Sequence, residues 1–268
     1  VTPLRLALTL LALAGNALAA DWVPLDFGRD PGPYRPKAWK AGWPSCPFED
    51  GVAEGRFSIL LADGTPWLRV LYPKGSVGPE QGGGGWRFPL PGIRADNPVA
   101  ELQYTVLFEE GFDFVKGGKL PGLCGGPKTI TGGDPVNGSE GWSARLMWRK
   151  DGSGQAYVYH MHQPEKYGDE FDFPKEKGFR FQPGIPATIR LRVAMNTPGR
   201  RDGSLSVWVN GDLLVDRSDM EWRAVPEIGV NSLLFNTFHG GTGPQWAPAR
   251  DCHARFANFQ WRVDPRGS

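Results

Sequence analysis

Apolar and polar residues alternate with a period of two along most of this chain. Within residues 100–109, Leu102, Tyr104, Val106 and Phe108 alternate with Glu101, Gln103, Thr105 and Leu107. Successive side chains of a strand point to opposite faces, so this is a strand, and its two partly apolar faces suit a central one. Over 187–195, Ile189, Leu191 and Val193 oppose Arg190 and Arg192 in the same way. Further strands are predicted over 56–60, 67–72, 204–209, 213–215, 232–238 and 254–263, with turns at Asp63-Gly64 and Asn210-Gly211. No window of helical length carries a 3.6-residue period with caps, so no helix is expected. About a dozen short strands separated by Gly and Pro predict an all-β sandwich or jelly roll of antiparallel sheets.

One stretch, residues 114–159, combines this pattern with chemistry. Trp142, Ala144, Leu146 and Trp148 share one face of a strand, and Ser143 and Arg145 share the other. Tyr157 and Tyr159 share a face of the next strand. The turn residues 150–154 join the two as a hairpin. Two tyrosines, an arginine, a serine and Lys119 then crowd one patch, with Lys119 placed in a Gly-rich loop. The bland alternative is a solvated sheet face, because aromatics favour strands in general.

Composition narrows the partners. The chain has 268 residues, 30 Lys and Arg against 29 Asp and Glu, and a net charge of +1. No long-range field or basic run selects nucleic acid or a membrane, so an acidic ligand must meet a local basic patch. Eleven Trp and 15 Phe argue for a sizeable core despite 37 Gly and 25 Pro. Residues 1–20 read as a cleaved signal peptide, with Arg5 before an apolar run and Ala17-Leu18-Ala19 at the cleavage site. Residues 21–268 are then a single mature domain, expected to be a monomer in the periplasm or outside the cell. The initial Val reads as translation from a GTG codon, which points to a bacterial source.

Other features carry competing chemistry. Glu109, Glu110 and Asp113 cluster at a strand end, as a carboxylate pair for glycoside hydrolysis, as ligands of a structural calcium, or as a polar turn. His160 and His162, with His239 or His253, could bind zinc, although no metal is expected. Export permits disulfides, and Cys46 with Cys252 is the preferred pair. Cys124 could pair instead, and nothing beside it in sequence activates it as a nucleophile. Residues 73–85, which end in four glycines, are expected to form a mobile loop, and 163–177 an exposed one.

Five segments in order carry a family resemblance. They are Leu68-Arg69-Val70-Leu71-Tyr72-Pro73-Lys74-Gly75-Ser76-Val77-Gly78, Gly117-Gly118-Lys119-Leu120-Pro121-Gly122, residues 142–148, Tyr157-Val158-Tyr159-His160 and residues 235–241. Together they resemble the alginate lyases of polysaccharide lyase family 14 and the related glucuronan lyases, over about residues 56–263. The resemblance implies a β-jelly roll with a substrate cleft across its concave sheet, and β-elimination of a uronate polysaccharide. Carried over residue by residue, it implies Lys119, Arg145, Tyr157 and Tyr159 as catalytic residues and Ser143 as a substrate-binding one. Gln103, Asn236 and His239 are added as candidates for lining the groove, His239 because it ends a strand beside Gly240-Gly241.

Elimination requires removal of the C5 proton of a uronate and protonation of the leaving C4 oxygen. Charge spreads into an already negative carboxylate, so cations must offset it. Lys119 and Arg145 are suited to that, and would lower the pKa of Tyr157 or Tyr159, either of which could serve as base. No cofactor is required. The runner-up function is a non-catalytic carbohydrate-binding jelly roll, and the third a hydrolase using Glu109 and Asp113.

Overall fold

The alternating segments become strands of two antiparallel sheets packed face to face. The computed structural model describes residues 21–263. The proposed signal peptide and its cleavage site lie outside the described residues.

The nine-stranded sheet runs Asp212–Met220, Gly203–Val209, Ala187–Ala194, Val99–Phe108, Cys252–Val263, Thr65–Tyr72, Phe57–Ala62, Gly32–Pro33, with Val23–Pro24 paired to Cys252–Val263. The seven-stranded sheet runs Asp169–Asp172, Gly154–Tyr159, Trp142–Arg149, Gly117–Gly125, Ser232–His239, Gly84–Pro89, Glu49–Asp50. This is an all-β jelly roll. The core lies between the sheets, where the faces read as apolar meet. Leu102, Tyr104 and Val106 come from one side, and Trp142, Ala144, Leu146 and Trp148 from the other. Trp148 is fully buried and meets Phe108, Phe112 and Tyr72 edge-on at 5.4, 5.5 and 5.8 Å between ring centroids. Burying a Trp of 150–250 Å² contributes on the order of 4–6 kcal/mol.

Five expectations are corrected. Pro36–Gly42 is an α-helix with Pro in its first turn, and it buries Trp39 against Trp86. Two turns are too short to show a helical period, and tertiary packing holds them. Lys119 lies in a strand, Gly117–Gly125, every residue of which is buried. Its glycines make room for neighbours: a Cβ on Gly118 would lie 2.1 Å from the Trp148 ring, and one on Gly122 2.0 Å from the Ala144 carbonyl. A register shift between Leu120 and Leu123 accommodates Pro121.

The four glycines 82–85 are buried rather than mobile. Gly83 has φ +62°, and a Cβ there would lie 1.9 Å from the Thr237 carbonyl. The segment 163–177 contributes Asp169–Asp172, which pairs with Gly154–Tyr159 at the sheet edge. The Cys46–Cys252 disulfide does not form, and all three cysteines are free. The Cys252 sulfur instead accepts the Asp113 N–H at 3.3 Å, while Cys46 follows the helix at another part of the core.

Candidate active site

Strand parity gives the seven-stranded sheet a second, chemically different face. The hairpin pairs Tyr157 with Arg145 and Tyr159 with Ser143. Its turn, Lys150–Gly152, is closed by Asp151 at φ 58°, a conformation Asp tolerates. On the next strand Lys119 pairs with Met147 on one side and Phe238 on the other. Four adjacent strands therefore place Tyr157, Tyr159, Arg145, Met147, Lys119 and Asn236 in one cleft of about 560 Å³. Gly85 completes the fit, since a Cβ there would lie 2.1 Å from Asn236 Nδ2.

The Lys119 Nζ sits 3.8 Å from the centroid of the Tyr157 ring and 3.1 Å from Met147 Sδ. The Arg145 guanidinium carbon lies 5.6 and 5.9 Å from the Tyr157 and Tyr159 rings. Arg145 Nη1 donates to Asn236 Oδ1 at 3.0 Å, while its buried Nε has no partner among the described residues. Backbone loops aim the tyrosines: the Gly168 N–H donates to the Tyr157 hydroxyl at 3.1 Å, and the Gly133 N–H to the Tyr159 hydroxyl at 2.9 Å. Each hydroxyl keeps its own proton to give.

Burial sets the charge states. It pushes the Lys119 pKa well below the ordinary lysine value, and Arg145 beside it pushes the same way. Desolvation also lowers that of Arg145. Tyr157 is raised, first by burial and then by Tyr159, and the opposing pull of Arg145 is smaller. The expected lowering of that tyrosine is therefore present from Arg145, but outweighed. A lysine moved toward neutrality beside a tyrosine held protonated can supply a proton acceptor and a proton donor at close quarters.

A family model for polysaccharide lyase 14 matches residues 61–259. The chain belongs to this family. It is a polysaccharide lyase, an enzyme that acts on uronate polymers. Two solved alginate lyases share its architecture at 26% identity. Aly36B has a TM-score of 0.76, over 90% of this chain and 96% of the other. The marine enzyme from Aplysia kurodai has a TM-score of 0.78, over 92% and 100%. An endo-β-1,4-glucuronan lyase from the fungus Trichoderma reesei shares the fold at 13% identity and a TM-score of 0.52, over 88% and 98%. No curated protein sequence matches the chain.

Not every predicted residue of the lyase reaches the cleft. Ser143 is fully buried beneath it, and its hydroxyl donates to the Ile130 carbonyl at 2.7 Å, tying down the loop that carries Gly133. Gln103 stands on the other sheet, between Arg190 and Gln260. His239 has the parity of Phe235, not of Asn236 and Phe238, so it faces the core. There it stacks on Phe112 at 5.5 Å and donates from Nε2 to the Asp113 carbonyl at 2.7 Å.

The competing chemistries are not assembled in the lyase. Glu109 follows the strand Val99–Phe108 of the nine-stranded sheet, gripped by Arg69 at 2.7 and 2.9 Å and by Arg255 at 2.6 Å. Burial raises its pKa, but these guanidinium bonds outweigh that and hold it at about 2, so it is no proton donor. The Asp113 carboxylate accepts the Val115 and Ala249 N–H groups. These contacts leave neither the hydrolase pair nor a calcium cage. His160 bonds Asp169 at 3.1 Å and His162 bonds Glu221 at 2.6 Å, so they part to separate carboxylates. Burial raises the Cys124 thiol away from reactivity.

Met147, Arg149, Phe238, Glu170 and Trp246 line the cleft and were not singled out in the sequence. Met147 and Arg149 have the parity of Arg145, which was a usable signal. Trp246 lies in a 3₁₀ turn, Pro244–Trp246, where no periodicity marks it.

Proposed function

We propose that this lyase cleaves an alginate- or glucuronan-type polyuronate by β-elimination, with Lys119 as base and Tyr157 as acid. The observation that carries this reading is Lys119 Nζ at 3.8 Å from the Tyr157 ring in a buried cleft that also holds Arg145. Arg145, with Asn236 bonded to it, takes the C6 carboxylate and offsets the charge that develops there. The neutral Lys119 amine removes the C5 proton. As the C4–O bond breaks and the C4=C5 bond forms, the Tyr157 hydroxyl protonates the departing oxygen. Tyr159, in edge-on contact with Tyr157 at 5.7 Å, fixes its orientation. Both similar enzymes at 26% identity are alginate lyases, which favours alginate. No step draws on a cofactor.

We place the enzyme outside the cytoplasm, with residues 1–20 removed and the remaining single domain working as a monomer. The composition of the leader supports this. Among the described residues no helix is long and apolar enough to cross a membrane.

Incubating the mature protein with alginate, polymannuronate and glucuronan tests the reading. The expected product is an unsaturated uronate end that absorbs in the ultraviolet. Reducing ends without that absorbance would mean hydrolysis, and retention of uncut polymer would mean a binding module.

A further inference from the structure

The cleft has a continuation. Beyond Trp246 a second depression of about 650 Å³ opens at the turn end of the hairpin, and it shares Arg149, Glu170 and Trp246 with the first. Lys116, Lys150, Lys175 and Arg180 stand exposed around it. With Arg149, five cations face two carboxylates, Glu170 and Asp172. In a chain of net charge +1 this is a strong local excess.

Some of these cations are already engaged. Arg149 lies 3.7 Å from Glu170, and Arg180 donates to the Asp151 carbonyl at 3.1 Å. Lys116, Lys150 and Lys175 have no carboxylate within ion-pair distance among the described residues. Trp246 lines both depressions, with Lys116 at 5.9 Å and Arg149 at 5.6 Å from its ring.

We infer that this trough is a distal subsite for the same anionic polymer, and that it makes the enzyme favour long chains. The inference rests on the lyase reading above. A polyuronate leaving the cleft passes over Trp246 and lays successive carboxylates along Lys116, Lys150 and Lys175. One exposed cation contributes little to binding. Several aligned along an extended polyanion raise capture and residence together, and their effect weakens with salt. A short oligosaccharide that fills only the catalytic cleft gains none of this.

The test compares kcat/KM on a long polyuronate with kcat/KM on a tetrasaccharide cut from it, in the parent and in the triple variant K116A/K150A/K175A. The polymer-to-tetrasaccharide ratio is expected to fall about tenfold. The triple arginine variant should restore it, and added salt should shrink it in the parent. An unmoved ratio in an active parent would overturn the trough alone. No unsaturated product from either substrate in the parent would overturn the lyase reading and the trough with it.

Discussion

The two sheets use arginine in opposite ways. On the nine-stranded sheet the arginines are held within the fold: Arg69 and Arg255 close on Glu109, Arg262 on Glu101 and Arg217 on Asp219, while Arg190 stacks on Trp208 at 3.8 Å. In the cleft of the seven-stranded sheet, Lys119 and Arg145 are buried, and neither has a carboxylate within ion-pair distance among the described residues. A matched pair is satisfied within the fold. An unmatched buried cation bears the cost of desolvation: Arg145 bears it until an anion arrives from outside, and Lys119 is pushed toward its neutral form. The difference separates a structural network from a binding site more sharply than residue type does.

That contrast can be broken from either side. The largest effect is expected from Lys119→Met, which removes the proposed base and keeps the volume: kcat should fall on the order of 10³-fold with the fold intact by circular dichroism. Tyr157→Phe should lose on the order of 10²-fold, and retention of full rate would move the acid to another group. The pH profile of the parent has a defined sign. Activity should rise as Lys119 loses its proton, at a pH well below the ordinary lysine value, and fall only as Tyr157 ionises above the ordinary tyrosine value.

Asn236→Asp imports the logic of the other sheet by giving Arg145 an internal carboxylate. KM for polyuronate should rise on the order of tenfold while thermal stability holds or increases. The smallest effect belongs to Glu109→Gln, which should leave elimination untouched and cost roughly 2 kcal/mol of stability at pH 7. Its folded pKa, about 2, is depressed below the unfolded value, so the stabilisation is complete above about pH 4.5. The gap between variant and parent should therefore close as pH falls toward 2, as read by denaturant unfolding.

Much of this was legible in the chain. Alternation placed Trp142, Ala144, Leu146 and Trp148 in the core, and the resemblance at Gly117-Gly118-Lys119, Ser143-x-Arg145 and Tyr157-x-Tyr159 anticipated the family. The cleft residues Lys119, Arg145, Tyr157, Tyr159 and Asn236 do converge. Parity misled where its phase was not carried through. His239 is three residues from Asn236 along one strand, so the two face opposite sides. Gln103 lies on a strand whose sheet membership depends on long-range pairing, which no local pattern contains. Glycine was the other blind spot. Runs that signal loops in isolation are close-packed here, because the side-chain space is filled by Trp148, Asn236 and neighbouring carbonyls.

The tetraglycine seam at residues 82–85 has a consequence for how this enzyme tolerates change. A Cβ added to each would run into Ser76, Thr237, Asp50 and Asn236 in turn, at 2.1, 1.9, 2.1 and 2.1 Å. None of the four glycines has a side chain that could touch a sugar. In a saturation screen scored by polymer clearing, they should nonetheless rank with Lys119 among the least replaceable positions. Their variants would fail differently, by losing soluble protein at higher growth temperature rather than by losing turnover in protein that folds. A screen that reads abundance beside clearing would sort the two classes and map the cleft floor without any ligand bound.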